Sequence, residues 1–190
     1  MKCTLILLLL FAFVSLSAQE FKAGKETTID WPETVNKKIK VYLPKNYNYE
    51  KKWPVIFLFH GLNGKPDTRL FQYYTGKKDF IIVAMDYFVK GIPKLTTVRE
   101  VQNYYFKEYQ NVMKAKDFLA KQISIDDKKL FLAGISQGGW IAGVISETPL
   151  SDFAGTMILL AGKLGGGKRS LKIPKRSGIL IYVGVGEFDG

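Results

Sequence analysis

Cysteine is almost absent: the one example in 190 residues is Cys3. It precedes an apolar run from Leu5 to Val14. A disulfide-stapled scaffold is thereby excluded, and Cys3 stands on the wrong side of the run to be the acylated cysteine of a lipoprotein. Histidine is as scarce, with His60 alone. The apolar run itself falls well short of the ~20 residues that a membrane-spanning helix requires. Internal repeats and low-complexity tracts are missing too, so neither a solenoid nor a disordered tail is encoded.

What is present begins with Lys2, the apolar run and the small residues Ser15-Leu16-Ser17-Ala18. These are the parts of a secretory signal peptide over residues 1–18, cleaved after Ser17 or Ala18; the alternative is a membrane anchor. The mature chain is then expected to be secreted or periplasmic, free of thiols, and held by its core. With 47% hydrophobic and 24% charged residues, one globular domain over 19–190 is expected. Lys and Arg outnumber Asp and Glu by 28 to 17. The densest basic cluster, Lys163, Lys168, Arg169, Lys172, Lys175 and Arg176, is interrupted by Gly165-Gly166-Gly167 and lacks interleaved aromatics. It reads as a solvated loop rather than a nucleic-acid surface, with attraction to acidic cell-wall or polysaccharide material as the alternative.

Hydrophobic patterning changes along the chain. Glu26 to Trp31 and Lys38 to Leu43 alternate apolar and polar residues, as half-exposed antiparallel strands do. Val55 to Phe59, Phe80 to Met85, Leu130 to Ala133, Met157 to Ala161 and Ile179 to Val185 are almost continuously apolar, as parallel strands buried on both faces are. Thr97 and Glu100 form a capping box ahead of Val101, Tyr105, Val112, Ala115 and Leu119, which predicts a helix to about Gln122. Shorter helices are expected over Thr68 to Lys78 and Gln137 to Glu147. Strands alternating with helices predict an open, mostly parallel sheet with helices on both faces. Ligands of such sheets collect at the carboxyl ends of the strands, and three of those ends carry chemistry here.

The first is Gly134-Ile135-Ser136-Gln137-Gly138, a G-x-S-x-G motif between an apolar strand and an apolar helix. A serine on that sharp turn sits in a strained backbone conformation, and Gly134 and Gly138 leave room for the chains that cross it. Ser136 would project its hydroxyl above the sheet. The amides that follow, from Gln137 on, open the helix and favour a developing oxyanion. The second end is His60-Gly61-Leu62-Asn63-Gly64, and the third is Gly186-Glu187-Phe188-Asp189-Gly190.

From about Lys37 onward these motifs resemble the α/β-hydrolase superfamily. Within it, the Gly-x-Ser-Gln-Gly-Gly elbow resembles the phospholipase/carboxylesterase group, and the leading hairpin resembles feruloyl and polyhydroxybutyrate esterases. The resemblance implies a serine carboxylesterase working through an acyl-Ser136, with no cofactor or metal and a small or polysaccharide-linked ester as substrate. It implies His60-Gly61 as the oxyanion loop, with the Leu62 and Gln137 amides as oxyanion donors. It implies Asp189 as the acid of the triad, with Glu187 as the second candidate. The family order is serine, acid, histidine, so His60, ahead of the serine, is expected to be structural rather than the general base. By this reading the chain is an α/β-hydrolase truncated after the strand that carries the acid. It lacks the last strand, helix and catalytic histidine and is inactive alone. The competing readings are a non-catalytic hydrolase-like binding domain, and peptidase or acyltransferase chemistry on the same residues.

Overall fold

The computed structural model describes residues 20–91, 94, 96–146, 152–161 and 180–184. The signal peptide with Cys3, the basic connection from Lys163 to Arg176, and the acid candidates Glu187 and Asp189 lie outside the described residues.

Seven strands form one sheet among the described residues. They are β1 (Glu26–Asp30), β2 (Lys38–Tyr42), β3 (Trp53–Phe59), β4 (Ile81–Met85), β5 (Ile125–Ile135), β6 (Gly155–Leu159) and β7 (Leu180–Gly184). Their spatial order is β1-β2-β4-β3-β5-β6-β7. The β1–β2 and β2–β4 pairs are antiparallel, and every other pair is parallel. The alternating strands thus form the antiparallel end, and the continuous apolar runs form the parallel part.

The helices are α1 (Arg69–Tyr74), α2 (Val98–Ala120) and α3 (Gln137–Ser146). Successive residues of a strand face opposite sides. Along β3, Phe57 and Phe59 join the core made with Val112, Ala115 and Leu119 of α2 and Ile141 and Ile145 of α3. Ile56 and Leu58 point the other way, into a smaller cluster closed by Phe71 of α1. Burial on both faces is the reason for the unbroken apolar runs.

At the start of α2 the Thr97 hydroxyl accepts the Glu100 amide, and the Glu100 carboxylate accepts the Thr97 amide, so the capping box forms as its residues predict. Three boundaries differ from the sequence expectation: β6 covers Gly155–Leu159 rather than Met157 to Ala161, and the other two have a local cause. The helix expected over Thr68 to Lys78 closes at Tyr74, because Gly76 and Lys77 take positive φ values of 60° and 62°. Strand β5 starts at Ile125, ahead of the polar run Asp126 to Lys129, because Ile125 pairs with Trp53 across a register shift. Among the described residues no helix is long and apolar enough to cross a membrane.

Candidate active site

Ser136 occupies the turn from β5 into α3 with φ of 53°, in the left-handed region. A residue with a Cβ pays about 1–2 kcal/mol there. The turn is held by the Ser136 amide donating to the Leu159 carbonyl at 2.8 Å. The Ser136 carbonyl in turn accepts the amides of Gly139 at 2.8 Å and Trp140 at 3.2 Å, which start the helix. Ser136 is exposed, whereas Gly134 and the stretch from Gln137 to Gly139 are buried.

The two motif glycines are required by contact with backbone. A Cβ on Gly134 would lie 2.0 Å from the Gly138 carbonyl oxygen. One on Gly138 would lie 2.4 Å from the Phe59 carbonyl oxygen and 2.5 Å from that of His60. No side chain fits at either distance. The same closeness seats the first turn of α3 on the end of β3 and brings the loop from His60 to Gly64 against the elbow. A Cβ on Gly61 would lie 3.6 Å from the Ser136 Cβ. Among the described residues, the Leu62 and Gln137 amides have no backbone carbonyl partner. Ser136, Gln137, His60, Gly61 and Leu62 are therefore neighbours at one edge of the sheet.

His60 is tied on both ring nitrogens. Its Nδ1 lies 2.7 Å from the Gly61 carbonyl oxygen, and its Nε2 lies 3.1 Å from Asp86 Oδ1. The Tyr87 ring packs against it with centroids 4.2 Å apart. Both ring nitrogens are thus engaged by the loop and by β4, and neither is shown in contact with Ser136. The pairing supports the structural reading of His60 over the base reading.

Asp86, at the carboxyl end of β4, is fully buried. Burial pushes its carboxyl up, but the hydrogen bonds from His60 and from the amide and side chain of Asn36 together outweigh it, and the net position is below the usual carboxylate range. From α2, Asn111 Nδ2 donates to the Asp86 backbone carbonyl at 3.0 Å, and Trp31 Nε1 donates to Asn111 Oδ1 at 2.6 Å. One turn earlier lies Glu108, also fully buried, whose Oε1 accepts the Phe88 amide. Desolvation pushes the Glu108 carboxyl up to about 7. Its Oε2 and the hydroxyls of Tyr87 and Tyr104 have no hydrogen-bond partner among the described residues.

This polar cluster was not anticipated from the sequence. Its signal was Asp86 itself, a carboxylate placed directly after a buried parallel strand, where ligand-facing residues collect. On the other side of the elbow, Gln137 Nε2 donates to the Gly91 carbonyl at 2.7 Å and fastens α3 to the segment after β4. At the remaining strand ends, Ile135, Leu159 and Gly184 share one row of the sheet, and the Leu160 amide donates to the Gly184 carbonyl at 2.7 Å. The chain thus leaves β7 on the edge that carries Ser136, five residues ahead of Asp189. Among the described residues no cluster of His, Cys, Asp and Glu could hold a metal ion.

A strained serine between strand and helix, on a mostly parallel sheet with a leading antiparallel hairpin, defines an α/β-hydrolase. The Esterase family model matches residues 34–147, more than half of the sequence, and the chain belongs to that family.

Solved structures share the fold. A serine-to-alanine mutant of the feruloyl esterase module from Clostridium thermocellum, complexed with sinapinate, gives a TM-score of 0.54 at 22% identity over 76% of this chain and 56% of that one. The S-formylglutathione hydrolase of Staphylococcus aureus gives 0.53 at 17% identity over 73% and 57%. Fluorophosphonate-binding serine hydrolase F of the same organism, substrate bound, gives 0.52 at 18% identity over 72% and 56%. The chain therefore spans a little over half the length of these structures. No curated protein matches it by sequence.

Proposed function

We propose that the protein is a secreted carboxylic ester hydrolase in which Ser136 is the nucleophile. The observation that carries this reading is the exposed Ser136 held at φ of 53° between glycines that admit no side chain. A turn with no chemistry to do has no need of a Cβ in that conformation, where glycine is the relaxed choice.

In the proposed reaction, Ser136 Oγ attacks the ester carbonyl carbon as its proton passes to a base. The carbonyl oxygen becomes an oxyanion facing the amides of Leu62 and Gln137 at the N-terminus of α3. Collapse of the tetrahedral species breaks the bond to the alkoxy oxygen, which leaves as the alcohol with the proton from the base. Water then repeats the sequence on acyl-Ser136, giving the acid and free Ser136. His60 is engaged by Gly61 and Asp86, and the family order puts the base, a histidine, after the acid, for which Asp189 and Glu187 are the candidates. Residues 1–18 act as the export signal, and the substrate is a small or polysaccharide-linked ester.

The test is labelling of the full-length protein with a fluorophosphonate probe. The expected result is one labelled site, lost in Ser136→Ala. Labelling that persists in Ser136→Ala removes Ser136 from the mechanism, and absence of labelling in the wild type favours a binding domain.

A further inference from the structure

Asp86 is a fully buried carboxylate that the proposed reaction does not use. It is also the junction of three separate parts of the chain. Asn36 comes from the β1–β2 connection, His60 from the end of β3, and Asn111 from α2. We propose that Asp86 is a positioning residue for the oxyanion amide of Leu62, acting through the His60 ring and the Gly61 carbonyl. This rests on the reading of Ser136 as nucleophile.

The mechanical link is the peptide between Gly61 and Leu62. No described peptide bond is cis. In a trans peptide the carbonyl and the following N–H point in opposite directions, so fixing one aims the other. The Gly61 carbonyl is held by two donors, His60 Nδ1 at 2.7 Å and the Gly64 amide at 3.0 Å. With the carbonyl turned toward those donors, the Leu62 N–H is turned away from them, on a loop that touches the elbow at Gly61.

The Gly64 amide alone fixes a distance. The second donor fixes the plane, provided that the His60 ring keeps its orientation and its proton on Nδ1. Asp86 supplies the first condition. Its Oδ1 holds Nε2 and sets the ring's rotation, which keeps Nδ1 on the Gly61 carbonyl. Packing supplies the rest, since Tyr87 lies against His60 on one side and stacks on Phe59 on the other, with centroids 5.9 Å apart. Asp86 is in turn braced by Asn36 and Asn111, so the ring is aimed from a fixed point. A hydrogen bond aimed at an oxyanion acts in the transition state and hardly at all on the bound ester, which separates this role from substrate binding.

The experiment has two readouts in the full-length enzyme. In Asp86→Asn, kcat on a short aryl ester should fall about tenfold or more while KM stays within about twofold. Affinity for an aryl trifluoromethyl ketone, which forms a tetrahedral oxyanion adduct on the serine, should fall by the same factor. The second readout needs no variant at position 86. The imidazole ¹⁵N spectrum of His60, assigned by its loss in His60→Gln, should show the proton on Nδ1 that the Gly61 carbonyl accepts. An Asp86→Asn enzyme with wild-type kcat and inhibitor affinity would overturn the proposal, as would a wild-type ring without a proton on Nδ1. The spectrum decides the relay even where Asp86→Asn does not fold. Absent Ser136 labelling would count against the hydrolase reading and leave the spectrum unchanged.

Discussion

On the α2 side of the sheet, apolar packing encloses a connected set of polar groups: Asn36, His60, Asp86, Glu108, Asn111 and Trp31. On the α1 side the polar links lie at the head of the helix, where the buried Thr68 hydroxyl donates to Glu26 and accepts from Gln72, and the cluster next to it is apolar. Phe71 closes a small cluster there, and an apolar cavity of about 220 Å³ is bounded by described residues that include Ile56, Phe80, Phe131 and Met157. The described polar groups that tie down the loop from His60 are Asp86, Asn36 and Asn111. Substitutions on the two faces should differ in kind, with geometry of the site at stake on one and packing alone on the other.

The largest effect falls at the point where the faces meet. Ser136→Ala should lower turnover of an aryl ester by about 10⁶-fold, with the melting temperature unchanged or raised. An unchanged turnover would remove the elbow from the comparison altogether. Next comes Gly138→Ala, whose Cβ would meet the Phe59 and His60 carbonyls at 2.4 and 2.5 Å. Backbone on both sides leaves no room to adjust, and a loss of more than about 4 kcal/mol is expected in urea unfolding.

Glu108 gives the next effect and carries a sign. Its folded position of about 7 lies above the ordinary 4.5, because it is desolvated and because Asp86 stands nearby. The folded state thus holds this proton more tightly than the unfolded chain does. The contribution of this group to stability should be greatest near or below pH 4.5 and fall as pH rises to about 7, by a total of about 3 kcal/mol. The neighbouring hydroxyls of Tyr87, Tyr104 and Tyr105 are themselves pushed up by burial and stay neutral across that window. Glu108→Gln should remove the slope and make the variant the more stable of the two at pH 8. Parallel pH curves for both proteins would show that Glu108 is not the group responsible.

The smallest effect belongs to Thr156, which shares a face of the sheet with Leu132 and Ile158 on the α3 side. Thr156→Val removes a hydroxyl that has no partner among the described residues and keeps the branched shape, so stability should rise by about 1 kcal/mol with turnover unaltered. A loss of stability there would mean that the Thr156 hydroxyl has a partner in the folded protein.

Most of the frame could be read from apolar runs, because strands buried on both faces have no polar position to break the pattern. The elbow was legible because its glycines answer to backbone contacts that only glycine survives. The start of β5 was not, because Asp126 to Lys129 are polar residues on a strand whose one local anchor is the distant partner Trp53. The early end of α1 was hidden for a similar reason: Lys77 takes a positive φ that its side chain does not advertise. Asp86 escaped notice because its importance comes from contacts to residues 50 positions before it and 25 after it. No local spacing encodes a junction of that span. The acid candidates stay outside the described residues and keep the standing the resemblance gave them.

The positive φ at Ser136 also bears on how such a chain would drift if selection for catalysis were relaxed. Glycine at 136 would remove the left-handed penalty and stabilise the fold by up to about 1–2 kcal/mol. With the proposed role of Ser136, a serine at this position is a standing trade-off, in which thermodynamic robustness is given up for a reactive hydroxyl. An inactive descendant should lose its nucleophile to glycine before it loses Gly134 or Gly138, since those two are demanded by the fold and the serine is not.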